Sequence, residues 1–151
     1  MTNVVPQPND VVATIRDQHA QARQLIGAIK AAAPDARANP FRELARVLHA
    51  HETAEQSVIY PAIRELGDEG ERVAQQRISE EEKASQVLTE LEASDPSTPE
   101  FEQSFTAFSG DVEQHARSEE AEVLPLLGRF DDARRAELGD AFVSTQTGNA
   151  Q

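Results

Sequence analysis

The chain contains no cysteine. That excludes disulfides, zinc–thiolate sites and iron–sulfur clusters. Basic residues are scarce: 14 Lys and Arg stand against 27 Asp and Glu, a formal charge of −13 at pH 7. A surface of that sign offers phosphates no binding face, which argues against nucleic acid and against an anionic membrane as partners. Long hydrophobic runs are missing too; none approaches the roughly 20 residues of a membrane span. The N-terminal MTNVVPQPN has neither the basic segment nor the apolar core of a signal peptide. A soluble, cytoplasmic protein is expected. Runs of β-branched residues are short, which disfavours strands.

Helix formers are abundant: Ala, Glu, Gln, Arg and Leu fill every long segment. At 151 residues the chain fits one domain with a sizeable core. Breakers divide it. A first helix is expected from about residue 10 to 33, capped by Asn9 or Asp10 and stopped by Pro34. The second runs from the Asn39-Pro40 start to Gly67, and the third from Asp68 to just before Asp95-Pro96. The fourth spans Thr98-Pro99-Glu100 to Gly128, and a short fifth opens at Asp131 and Asp132 and carries Leu138, Phe142 and Val143. Short loops between long helices favour antiparallel neighbours. The expected architecture is all-α: an up-down-up-down four-helix bundle with a short C-terminal fifth helix. The domain spans residues 10–143, with residues 1–9 and 144–151 expected to be flexible ends.

One motif occurs twice. His51-x-x-x-Glu55 recurs as His115-x-x-x-Glu119, and each copy is followed at the same distance by an aromatic or apolar residue and proline, Tyr60-Pro61 and Leu124-Pro125. Positions i and i+4 of a helix share a face, so each copy aims an imidazole and a carboxylate at one point. Both pairs lie within apolar stripes: Leu44, Leu48, His51, Glu55, Val58, Ala62 in the second helix and Phe105, Phe108, Val112, His115, Glu119 in the fourth. The first helix carries His19 between Ile15 and Ala22, and the third carries Glu81 between Ile78 and Ala84. Superposing helices 1 and 2 on helices 3 and 4 lays His19 on Glu81. Stripe phase selects Glu81 over Glu80 and Glu82. Four helices thus point metal-competent groups into the middle of the core, where unpaired carboxylates are costly and a cation would relieve them. The candidate metal ligands are His19, His51, Glu55, Glu81, His115 and Glu119.

Neighbouring residues read differently. Glu52 is about 100° off the stripe and is a minor near-site candidate. Tyr60, the single tyrosine, points away from the His51/Glu55 face on a regular helix. Pro61 removes a hydrogen bond there, and a distorted turn is the one way the phenol reaches the site. His49 is a surface group or an outer partner. Glu120 and Glu122 read as solvated, and Phe101, Phe105 and Phe108 as core.

The order of these residues resembles the hemerythrin-like, or HHE cation-binding, domain family over roughly residues 10 to 128. DQH supplies His19, HETAE supplies His51 and Glu55, and HARSE supplies His115 and Glu119. The resemblance implies a left-handed bundle around two iron ions, oxo- or hydroxo-bridged, with both glutamates bridging. The chain departs from the family on the third helix, where an EEH context is usual and Ser79-Glu80-Glu81 stands instead. Either Glu81 ligates in place of histidine or one iron is under-coordinated. Carboxylate favours the ferric state more than imidazole does. That points away from reversible O2 carriage and toward reaction with small oxidants (H2O2, O2 or NO). Catalase-like, peroxidase-like or NO-reactive enzyme activity stays open. An O2- or iron-responsive sensing module and an iron buffer are the alternatives, and the protein is expected to be a monomer or homodimer.

Overall fold

The computed structural model describes residues 10–149. The expectations for residues 1–9 and for the last two residues lie outside that range. The helices are α1 (Val11–Ala31), α2 (Ala38–Ala54), α3 (Tyr60–Arg64), α4 (Asp68–Glu92), α5 (Pro99–Ser118), α6 (Leu124–Leu127) and α7 (Asp132–Asn149). A short 3-10 turn, Pro34–Ala36, follows α1. Two π turns, Glu55–Ile59 and Glu119–Val123, join α2 to α3 and α5 to α6 without breaking the rods. The bundle is therefore built from α1, the α2–α3 rod, α4 and the α5–α6 rod, with no strand among the described residues.

Local chemistry accounts for the ends. The Asp10 side chain accepts the Val12 N–H at 2.9 Å and caps α1. Thr98 does the same for Phe101 at 3.1 Å before Pro99. The second rod starts earlier than expected, at Ala38, with Arg37 at the cap and no side-chain cap bond. Asn39 therefore lies inside the first turn, where it accepts from Arg42 rather than from the backbone. Between α3 and α4, Gly67 has φ 98°, a conformation other residues reach only with strain. Gly70 lets α4 close on α3, since a Cβ there would stand 1.8 Å from the Ile63 carbonyl oxygen.

The last helix is longer than expected and continues through the polar residues 144–149. It packs along α1 and α2. Phe142 is fully buried, and Gln146 bonds to Gln18 of α1. Tertiary contacts thus extend a segment whose sequence has little apolar stripe of its own.

Two apolar clusters fill the bundle. One gathers Phe41, Leu44, Leu88, Phe101, Phe105 and Phe108 at one end. The other holds Ile15, Ile59, Ile63, Leu126, Leu127 and Phe142 at the opposite end. The buried polar residues His19, His51, Glu55, Glu81 and Glu119 lie on the helices that carry both clusters.

Candidate metal centre

All six expected ligands converge. Glu55 and Glu119 are 0 % exposed and Glu81 1 %, while His19 and His51 are buried and His115 is nearly so. Glu82, one residue on from Glu81, is exposed. Ligand atoms of His19, His51, Glu55 and Glu119 lie within 4.8 Å of one another, as do those of Glu55, Glu81, His115 and Glu119. The two tetrads share Glu55 and Glu119.

Glu119 faces both ways. Glu119 Oε1 is 2.8 Å from His19 Nε2 and 3.6 Å from His51 Nε2, while its Oε2 is 3.3 Å from His115 Nε2. Glu55 Oε2 is 3.0 Å from His51 Nε2. On the other side His115 Nε2 is 3.1 Å from Glu81 Oε2. Three histidines thus turn Nε2 inward upon three carboxylates.

Each histidine is held from outside through Nδ1. His19 meets Glu120 Oε2 at 2.8 Å, His115 meets Glu80 Oε1 at 2.7 Å, and His51 meets Gln18 Oε1 at 2.7 Å. Arg23 binds Glu120, and the buried Arg77 binds both Glu80 and Glu122. Such outer bonds fix the ring and its tautomer and raise the basicity of the inner nitrogen. Nothing in the residue pattern assigns these carboxylates a role. Glu120, which reads from its position as solvated, is only part-exposed because it spans to a neighbouring helix. One position beyond an in-phase ligand is a rim position, and which rim residue reaches across depends on helix registry. His49, half-exposed, pairs with Glu92 at 3.1 Å and stays clear of the cluster.

Tyr60 corrects the regular-helix expectation. Its hydroxyl donates to Glu81 Oε2 at 2.6 Å and Glu119 Oε2 at 2.9 Å, with Glu55 Oε1 at 3.4 Å. The cause is the π turn. The Tyr60 N–H bonds to the Glu55 carbonyl, five residues back, so one extra residue fits into the turn. Tyr60 then stands where i+4 would stand, above Glu55. Pro61 is the signal of it in the sequence. The second copy repeats the π turn ahead of Leu124-Pro125, and Leu124 adds only apolar cover.

Protons on some of these groups balance the charge of the others. Burial opposes charge on His115, but contacts with Glu119 and Glu81 outweigh it and push its pKa up to about 11. His19 rises too, against burial, through Glu119 and Glu120. Burial, with Glu119 and Glu81 alongside, drives Glu55 well above the carboxylate range. Glu119 is buried as deeply, yet the neighbouring Glu55 and the three histidines hold it well below that range. Glu52 is part-buried, and burial, with Glu81 near, lifts it to about 8 against the opposing pull of His115. Tyr60 is raised by burial and by the three carboxylates.

The residues fit a cation. His51 Nε2 and Glu55 Oε2 are buried, inward-facing and 3.0 Å apart, yet neither makes an aligned hydrogen bond, and mixed imidazole and carboxylate donors suit first-row divalent metals. A cavity of about 40 Å³ opens beside the cluster, lined chiefly by apolar side chains such as Ala22, Ile26, Leu48 and Val112, with His51, His115 and Glu119 in its wall. Among the described residues no helix is long and apolar enough to cross a membrane.

Comparison with known proteins agrees with this geometry. The family model described as "Hemerythrin HHE cation binding domain" matches residues 10–127. A curated protein from Nostoc sp. strain PCC 7120, named a DNA nickase, is 30 % identical over 87 residues. That match covers 58 % of this chain and 24 % of the nickase, so the chain spans about a quarter of its relative. No solved structure matches. With a buried His/Glu cluster on four helices and a family match across nearly the whole bundle, the chain belongs to the hemerythrin HHE cation-binding domain family.

Proposed function

We propose that this domain holds two iron ions and reacts with small oxidants, H2O2, O2 or NO. The observation that carries the reading is the sharing of Glu55 and Glu119 by two tetrads, since a carboxylate with one oxygen in each tetrad suits a bridged pair. His19 and His51 would complete one ion's set, and Glu81 and His115 the other's. Three imidazoles and three carboxylates form a harder set than an imidazole-rich one and favour the ferric state. Bound iron would supply the redox chemistry. The chain's part is to bind, orient and exclude water. Its cavity of about 40 Å³ has room for a few molecules of water size, each needing roughly 10–15 Å³. Its apolar lining suits small uncharged reactants. The Tyr60 hydroxyl keeps a proton directed at Glu81 and Glu119.

The nickase match covers a quarter of that protein and brings no DNA chemistry into this reading; a charge of −13 speaks against phosphate binding.

The test is metal analysis with UV–visible spectra before and after H2O2. We expect two irons per chain and rapid consumption of peroxide. Glu81→Ala should lose one iron and change the spectrum, whereas Glu82→Ala should do neither, because Glu82 is exposed. Protein purified from iron-rich medium with no iron, or with a single tight zinc, would overturn the reading. A persistent, reversible oxy spectrum would favour O2 binding over oxidant turnover.

A further inference from the structure

We propose that Gln146 on α7 is a positioning residue for the metal centre: it locks Gln18, and Gln18 sets the tautomer of His51. The proposal rests on the metal-binding reading above. Gln18 Nε2 donates to Gln146 Oε1 at 2.7 Å, and Gln146 Nε2 donates back to Gln18 Oε1 at 2.7 Å. The same Gln18 Oε1 accepts from His51 Nδ1 at 2.7 Å. With its hydrogen on Nδ1, His51 presents a bare Nε2 to the cluster; that buried atom lies 3.0 Å from Glu55 Oε2 but makes no aligned hydrogen bond.

The contrast with the other histidines gives the arrangement its meaning. His19 and His115 lean on Glu120 and Glu80. An ionised carboxylate only accepts, so whichever oxygen it offers, Nδ1 must carry the hydrogen. An amide has two unlike ends. Turned over, Gln18 would offer its NH2 to Nδ1, the hydrogen would shift to Nε2, and the lone pair meant for a cation would be lost. The reciprocal pair with Gln146 opposes that turn, because flipping Gln18 alone sets donor against donor and acceptor against acceptor. Phe142, also on α7, packs edge-on against the His51 ring at 5.6 Å between centroids. The fifth helix, which a four-helix bundle does not require, thus supports one ligand of one tetrad. Neither Gln18 nor Gln146 contacts Glu81 or His115 by any hydrogen bond among the described residues.

The experiment compares wild type, Gln146→Ala, Gln146→Glu and the control Thr145→Ala, whose hydroxyl bonds to the Ala141 carbonyl of its own helix. Iron release to a chelator is followed in loaded protein, and the His51 Nδ1–H proton resonance in metal-free protein. In Gln146→Ala one of two irons should leave roughly tenfold faster or more, in line with lost outer support, and the His51 resonance should broaden into exchange. Gln146→Glu should fall with Gln146→Ala, because its carboxylate only accepts: one oxygen faces Gln18 Oε1, and two like oxygens no longer tell the two ends of the Gln18 amide apart. Thr145→Ala should change nothing. Wild-type release and resonance in Gln146→Ala would overturn the proposal. So would equal acceleration of both irons, which marks a general loosening. If the wild type bound no iron pair while the His51 resonance still followed this order, the iron reading would fall and the positioning role would stand.

Discussion

Tyr60 is the residue on which the buried charge turns. Its one hydroxyl serves two carboxylates, Glu81 and Glu119, that are almost fully shielded from water. A buried acceptor stripped of its donor loses more than the net value of the hydrogen bond. Tyr60→Phe should therefore destabilise the metal-free protein by about 1–3 kcal/mol, the cost of leaving such groups unmet. In loaded protein a cation would satisfy the same oxygens, so the loss should be smaller. Thermal melts of both forms check this; equal losses would mean that the hydroxyl does no more than pack. The members of the buried His/Glu cluster are readable from residue types and spacing, because burying a His or Glu in an apolar stripe is costly unless it has a partner there. Their outer partners are not. Glu80, Glu120 and Gln18 act on histidines of other helices, and a single sequence carries no registry between helices.

At the scale of the element, the π turn decides which face the chain presents beyond the motif. A proline in a regular helix clashes with the carbonyl four residues back and removes a hydrogen bond, at about 3 kcal/mol or more. Widening the turn by one residue relieves the clash, and both prolines are preceded by such a turn. The stripe up to Glu55 follows the 3.6-residue period and is legible, and most helix ends follow from caps and breakers. Past Glu55 the period is interrupted, so burial passes to Ile59, Tyr60 and Ile63 while Val58 is only part-buried. The polar end of α7 is opaque for a related reason: its order comes from Gln18, not from its own pattern. Deleting the exposed Ser57 should close the π turn into α-helix while leaving Tyr60 in phase with Glu55. Alone, the deletion should restore the proline clash and cost about 3 kcal/mol. Combined with Pro61→Ala it should recover most of that loss and keep its metal. Iron content and melting of the two variants test the account. A double variant as damaged as the single deletion would show that the extra residue does more than accommodate proline.

For the molecule as a whole, the cluster makes folding, protonation and metal one equilibrium. His115 has a folded pKa of about 11 against an ordinary 6.5. A raised histidine contributes stability that is complete below 6.5 and is lost as pH climbs toward the folded value. Glu52, at about 8 against 4.5, loses its share between those values as pH rises, and Glu55 moves in the same direction. Glu119 runs the other way, but its depressed pKa confines its loss to acid, below the ordinary carboxylate range. From pH 6 to pH 9 the metal-free protein should therefore become less stable, its melting temperature falling by several degrees. Metal binding must displace the protons on His19, His115 and Glu55, so affinity rises with pH and the loaded form gains where the empty form loses. The gap in melting temperature between loaded and metal-free protein should widen steadily from pH 6 to pH 9. Calorimetry of both forms across that range tests this. A gap that stayed constant or narrowed would mean that the cation does not replace those protons, and that the buried His/Glu cluster is held together by its own ion pairs rather than by a metal.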